Sequence, residues 1–135
     1  MNALFIDTGG WVALVDTRDP AHQPARQARD GCLKRGGVMV STDYVLDETL
    51  TLLRARLGLA VAKRWWEQAD ASTRLRWERI DPPRAQKALA FFFRWEDKEF
   101  SFTDCTSFTV MRELGLRRAL TTDDHFRQAG FEITP

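Results

Sequence analysis

The sequence predicts an α/β protein with a mainly parallel central sheet and helices on both faces. Three observations carry that expectation. Short apolar runs alternate with longer stretches of helical spacing from Leu4 to Ile133, the pattern in which parallel strands are joined by helical crossovers. The runs Leu4–Ile6, Val38–Val40 and Ala119–Thr121 are short and each is followed directly by a polar residue, as buried strands commonly are. A chain of 135 residues also fits one domain, here 1–135, that can bury a core without disulfides or a structural metal.

In chain order, strand Leu4–Ile6 leads into a helical turn or two over Gly9–Val15, and Asp19-Pro20 with Pro24 marks a loop that includes His22. A helix over Ala25–Lys34 stops at Gly36-Gly37, before strand Val38–Val40. Ser41 or Thr42 can cap the next helix, where Leu46, Leu50, Leu53 and Leu57 form one stripe. Gly58 interrupts it and Leu59–Ala71 continues as another helix. Leu75–Ile80 alternates as a strand with one wet face, ended by Pro82-Pro83, and Arg84–Trp95 is helical. After the polar insert Glu96–Glu99 and Phe100–Thr103 comes a helix over Asp104–Leu114 with Cys105, Phe108 and Met111 at helical spacing. Gly115 stops it, and strand Ala119–Thr121, a short helix Phe126–Ala129 and strand Phe131–Ile133 complete the alternation.

Composition narrows the class. The chain is 44% apolar and 29% charged, as soluble globular proteins are, and no apolar run approaches the roughly 20 residues that span a bilayer. Met1–Ile6 has no basic region or long apolar segment, so no signal peptide and a cytoplasmic location are expected, with no membrane partner. Cys32 and Cys105 have no zinc-like spacing and read as reduced packing residues. Net charge is only +1, but residues 54–94 carry ten basic against four acidic residues, while both ends are acidic. Such a run is commonly a solvated face. Trp65, Trp66, Trp77 and Trp95 are interleaved with these bases, a mixture that can also track a phosphate backbone, although most of them read as core.

Ligands of parallel sheets bind beyond the carboxyl ends of the strands. Asp7 follows the first strand, Asp123-Asp124 follow Ala119–Thr121, Asp104 opens a helix and Glu48 lies in the second turn of the helix leaving Val38–Val40. Four separate segments thus deliver acids to one end of the sheet. Each has a plainer reading: Asp7 as a helix cap, and Asp104 as a cap or dipole partner, a role open equally to Thr103. Glu48 is bracketed by Val45 and Leu52, and a carboxylate in apolar surroundings asks for a cation. Asp47, about a hundred degrees round the helix, reads as solvated. Gathered carboxylates repel unless a metal offsets their charge. Oxygen ligands suit Mg²⁺ or Mn²⁺, and the chemistry that follows is phosphodiester hydrolysis by metal-activated water. No other nucleophile is well placed, since Cys105 has no recognisable histidine partner.

The runs FIDTGGW, DETLTLL and FSFTDCTSFTVMRELGLRRALTTDDHFRQAGF together resemble the PIN domain, above all VapC-type toxins of toxin–antitoxin pairs. The resemblance covers nearly the whole chain in order and is most specific from Phe100 to Phe131. It implies a single PIN domain over 1–135, a three-layer α/β/α sandwich, an acidic pocket for Mg²⁺ or Mn²⁺ and endoribonuclease activity on RNA. The matching acids are Asp7, Glu48, Asp104 and Asp123. Asp7, Asp104 and Asp123 would hold the metal, with Glu48 a ligand through water or the group orienting the attacking water. Thr8, Thr103 and Thr121 fill the supporting polar positions. Two positions depart from the pattern. Gly9-Gly10 replaces a serine, threonine or asparagine and is expected to act as a permissive bend, and Asp124 stands where a basic or polar residue is usual. Asp124 is either a fifth acid or an exposed neighbour, and exposure is the expectation. RNA would approach over Arg54, Arg56, Lys63 and Arg64. The family commonly forms homodimers and pairs with an antitoxin protein.

Other readings meet specific obstacles. A receiver-like signalling domain could use Asp81, but no lysine follows Lys98, and a haloacid-dehalogenase phosphatase would need an aspartate where Gly9 stands. A housekeeping RNA-processing nuclease would use the same residues as a toxin. A non-catalytic binding module would not need all four acids.

Overall fold

The computed structural model describes residues 2–135; the expected domain also takes in Met1, which lies outside them. Strands β1 (Ala3–Ile6), β2 (Val38–Thr42), β3 (Leu75–Glu78), β4 (Arg118–Leu120) and β5 (Glu132–Thr134) form one sheet in the order β3-β2-β1-β4-β5. Every neighbouring pair is parallel, with Phe5 opposite Val40 on one side and Ala119 on the other. The helices are α1 (Thr8–Val15), α2 (His22–Lys34), α3 (Asp43–Leu57), α4 (Leu59–Ala71), α5 (Pro82–Arg94), α6 (Phe102–Leu114) and α7 (His125–Gln128).

The chain moves outward from β1 through β2 to β3, then crosses back to β4 and β5. Right-handed crossovers therefore place α1 to α4 on one face and α5 to α7 on the other. The packing agrees: α1 lies against α2 and α3, α3 against α4, and α5 and α7 against α6. One face holds a tryptophan cluster, with Trp11 and Trp65 ring centres 5.3 Å apart and Trp77 6.3 Å from Trp11. The other holds a phenylalanine cluster in which Phe108 meets Phe126 at 4.9 Å and Phe126 meets Phe5 at 6.0 Å. Aromatic pairs in these tilted and edge-on geometries add to the apolar area that they bury. No helix among the described residues is long and apolar enough to cross a membrane.

Several boundaries differ from the sequence reading, each for a local reason. Pro82-Pro83 does not simply end β3 but forms the first turn of α5, capped by the Asp81 carboxylate that accepts from the Arg84 N–H at 3.0 Å. Proline suits that turn because its missing N–H would have had no helical partner. His22 is not in a loop; it opens α2, buried, with Nδ1 2.8 Å from the Ala13 carbonyl. The buried line of α3 is Val45, Thr49 and Leu53, whereas Leu46, Leu50 and Leu57 are half-buried, because α3 packs against both α1 and α4. Trp65 is buried and Trp66 and Trp77 are half-buried in the core cluster, so these three are not surface stacking platforms.

Gly9 and Gly10 also serve a different purpose from the expected bend. Both lie inside α1, with no left-handed backbone. A Cβ on Gly10 would stand 2.3 Å from the Leu120 carbonyl oxygen, and one on Gly9 would stand 2.4 Å from Thr122 Oγ1. The glycines let the first turn of α1 lie directly on the end of β4.

Candidate active site

The sheet's crossovers reverse direction between β1 and β4, and a crevice opens at the carboxyl ends of such a strand pair. Asp7 ends β1 there. Its backbone N–H donates to the Leu120 carbonyl at 3.1 Å, and its Oδ2 accepts from Thr121 Oγ1, also at 3.1 Å. Asp7 is the N-cap residue of α1, yet its side chain makes no capping bond. The carboxylate is therefore not spent on the helix, although it is 96% buried.

Asp104 arrives from α6. That helix begins at Phe102 and is capped by Ser101, not by Thr103, and Asp104 is its third residue. The Ser101 hydroxyl accepts from the Asp104 N–H at 2.9 Å, and Asp104 Oδ2 accepts from the Ser101 N–H at 3.1 Å, a reciprocal capping box. The same Oδ2 is 2.8 Å from His125 Nδ1. Asp123, in the turn after β4, accepts through Oδ1 from the His125 backbone N–H at 2.9 Å, while its own N–H reaches Thr121 Oγ1 at 3.4 Å. Potential ligand atoms of Asp104, Asp123 and His125 all lie within 4.8 Å of one another.

The electrostatics follow from this crowding. Burial first, then the charge of Asp104, pushes the Asp7 pKa up to about 7; Asp123 adds to the rise, and the Thr8 N–H and Thr121 hydroxyl oppose it. Burial and Asp123 raise Asp104 as well, against the Ser101 N–H and His125. A cation among the three would reverse both shifts. Thr8 Oγ1 is buried beside Asp7 with no hydrogen-bond partner, and Ser107 Oγ, one turn beyond Asp104, is buried likewise. Unpartnered hydroxyls on residues one and three positions from these carboxylates would suit a hydrated divalent ion, whose waters need such partners.

The remaining expected residues sit around this centre. Glu48 is half-buried and outside the tight cluster, one turn along α3 from Tyr44, whose ring is 6.0 Å from that of Phe102. Residues four apart share a helix face, so Glu48 is turned toward the side where α6 begins. Thr103 is half-buried in the first turn of α6 and its carbonyl accepts from Thr106. Asp124 is exposed and bonded to Arg127 at 2.7 Å, outside the acidic cluster. Arg54, Arg56, Lys63 and Arg64 are exposed, and Arg56 and Arg64 line a cleft of about 880 Å³ with Leu14, Val15 and Trp65. That cleft runs from Trp11 along α1 to its far end, which lies about 12 Å from the Asp7 end of an eight-residue helix. Cys105 is buried with its thiol pushed up to about 11 by burial and Asp104, so it stays protonated and is no nucleophile. The sequence reading missed His125; its one signal was its place two residues after Asp123, in the first turn of a helix.

A parallel α/β sheet carries buried aspartates at its switch point, and the PIN domain family model matches residues 4–132. The chain belongs to the PIN domain family and is a homologue of its VapC-type nuclease toxins. It is 35% identical over 135 residues, 98% of each chain, to the 23S rRNA-specific endonuclease VapC20 of Mycobacterium tuberculosis. The crystal structure of that organism's VapC20, described as a sarcin–ricin loop cleaving toxin, superposes with a TM-score of 0.88 at 33% identity, covering 98% of this chain and 99% of the other. FitAcB from Neisseria gonorrhoeae, at 13% identity and a TM-score of 0.70 over 98% and 96% of the two chains, shares the fold.

Proposed function

We propose that this chain is a metal-dependent endoribonuclease that cuts 23S rRNA, with the sarcin–ricin loop its target, and that it is the toxin of a toxin–antitoxin pair. Residues 1–135 act as a single catalytic domain in the cytoplasm, where ribosomes are. The observation that carries the reading is the convergence of Asp7, Asp104 and Asp123, from the end of β1, α6 and the β4–α7 turn, at one edge of the sheet. The full-length similarity to an rRNA endonuclease supports the substrate.

Asp7, Asp104 and Asp123 hold Mg²⁺ or Mn²⁺, and Glu48 acts through water or orients the attacking water. Such an ion supplies charge stabilisation at the phosphoryl oxygen and a bound water of lowered pKa. Thr121 fixes Asp7 by its hydroxyl, and Thr8 and Thr103 offer polar groups to the ion's waters or to substrate. Asp124 takes no part. The exposed bases Arg54, Arg56, Lys63 and Arg64 would meet phosphates flanking the scissile bond, since the cleft runs along α1 away from the acids. Primer extension on ribosomes treated with the purified chain should show one new 5′ end in the sarcin–ricin loop, lost in EDTA and restored by Mn²⁺. Expression should arrest growth, and a cognate antitoxin should relieve it. Growth arrest with intact 23S rRNA would move the target elsewhere.

A homodimer is part of the same reading. Leu89, Phe92, Phe93 and Trp95 stand exposed along and just past α5, with Phe93 74% exposed, and clustered apolar side chains on a surface mark an interface. Sedimentation should give a dimer that Phe93→Glu reduces to monomer. A monomeric parent at micromolar concentration removes the dimer from the proposal.

A further inference from the structure

We infer that His125 is the positioning residue that sets the two aspartates of the site at their working separation. The inference rests on the reading that Asp104 and Asp123 hold the ion. Those two acids come from different elements, α6 and the turn before α7, and His125 reaches both, through its ring Nδ1 and its backbone N–H. Its ring Nδ1 is 2.8 Å from Asp104 Oδ2, and its backbone N–H is 2.9 Å from Asp123 Oδ1. One oxygen of each carboxylate is thus held, which leaves the other of each to ligate.

The ring itself is braced. It stands edge-on to Phe100 at 5.8 Å, and Phe100 is buried immediately before the Ser101 cap of α6. Asp104 Oδ2 is thus held between the Ser101 N–H and the His125 ring, two partners from different segments.

The same closeness allows a rival role, with a ring nitrogen as a third ligand beside Asp104 and Asp123. At Nδ1, hydrogen placement argues against it once Asp104 is ionised, as a metal ligand must be. An ionised carboxylate oxygen only accepts, so an Nδ1 that bonds to it carries the hydrogen and has no lone pair there for a metal. Outer partners of ligating carboxylates fix their orientation, and removing one typically weakens metal binding by 10–100-fold.

The test is Mn²⁺ binding to the full chain, followed by electron paramagnetic resonance, with two variants chosen to keep the fold. His125→Phe preserves a ring against Phe100 but removes the donor; His125→Asn preserves a donor near the place of Nδ1. Phe should weaken Mn²⁺ binding by about tenfold or more, and Asn should stay within about threefold of the parent. Bound Mn²⁺ in the parent should show no imidazole ¹⁴N coupling. Equal losses in the two variants, an unchanged affinity in His125→Phe, or a ¹⁴N coupling in the parent each overturns the positioning role, the last in favour of direct ligation. Asp104→Asn separates the underlying reading: if that variant binds Mn²⁺ as the parent does, Asp104 is no ligand and the role of His125 falls with it.

Discussion

Asp7→Asn should leave a folded chain that no longer cleaves RNA and that, without metal, melts higher than the parent at pH 7.5. On the proposed mechanism, the loss of activity follows from removing one of three carboxylates that would hold the metal, and a metal's transition-state stabilisation of several kcal/mol corresponds to about a thousandfold in rate. The gain in stability follows from burial. Asp7 binds its proton more tightly in the folded chain, with a pKa of about 7 against 3.8 for an unperturbed aspartate. Its contribution is therefore fully present below pH 3.8, declines as the pH rises, and is gone above about 7, where the buried charge has no counter-ion. The linkage sets an upper bound on the order of 4 kcal/mol, of which relaxation leaves a part, so a rise of about 5 °C is expected. Asparagine keeps an oxygen for Thr121 Oγ1 and carries no charge. Melting curves at pH 5 and pH 7.5, with and without Mn²⁺, separate the effects: Mn²⁺ should raise the parent at pH 7.5 and leave the variant unmoved. Retained cleavage in a carefully purified variant removes Asp7 from the metal site. A lower metal-free melting point would mark the loss as a folding defect instead.

The alternation of strands and helices was legible because each buried run is short and bounded, and the acids were legible because a parallel sheet carries its strand ends to one edge. What escaped the sequence depends on partners distant along the chain. Asp104 and Thr103 are adjacent in sequence, and nothing local says that Ser101 caps α6 or that Asp104 returns a bond to it. His125 looks like an ordinary helix-opening residue until α6 and the β4–α7 turn are side by side, 21 residues apart in the chain. The bases at Arg56 and Arg64 suggested an RNA track on charge alone, but charge carries no information about which end of a helix it occupies. They line a cleft that runs along α1 to its other end.

Gly10→Ala should destabilise the chain by about 2 kcal/mol or more, a larger loss than Gly9→Ala, although the two glycines look alike in sequence. Helix propensity alone favours alanine at both positions by about 1 kcal/mol. At Gly10 the added Cβ meets the Leu120 carbonyl at 2.3 Å and its carbon at 2.9 Å, both in the backbone of a central strand that cannot turn aside. At Gly9 the closest atom is a hydroxyl on the exposed Thr122 side chain, which can rotate away, and the backbone nitrogen beyond it is at 3.2 Å. Relieving the Gly10 clash means lifting α1 off β4, and Asp7 is the residue that leads into α1 while its N–H and carboxylate are bonded to Leu120 and Thr121. The displacement should therefore weaken Mn²⁺ binding along with lowering the melting temperature, whereas Gly9→Ala should change metal affinity little. Melting and Mn²⁺ titration of both variants decide the matter. A Gly10→Ala chain at least as stable as its parent would show that α1 has room to move, and that the close seat of the helix on β4 is not what holds Asp7 in place.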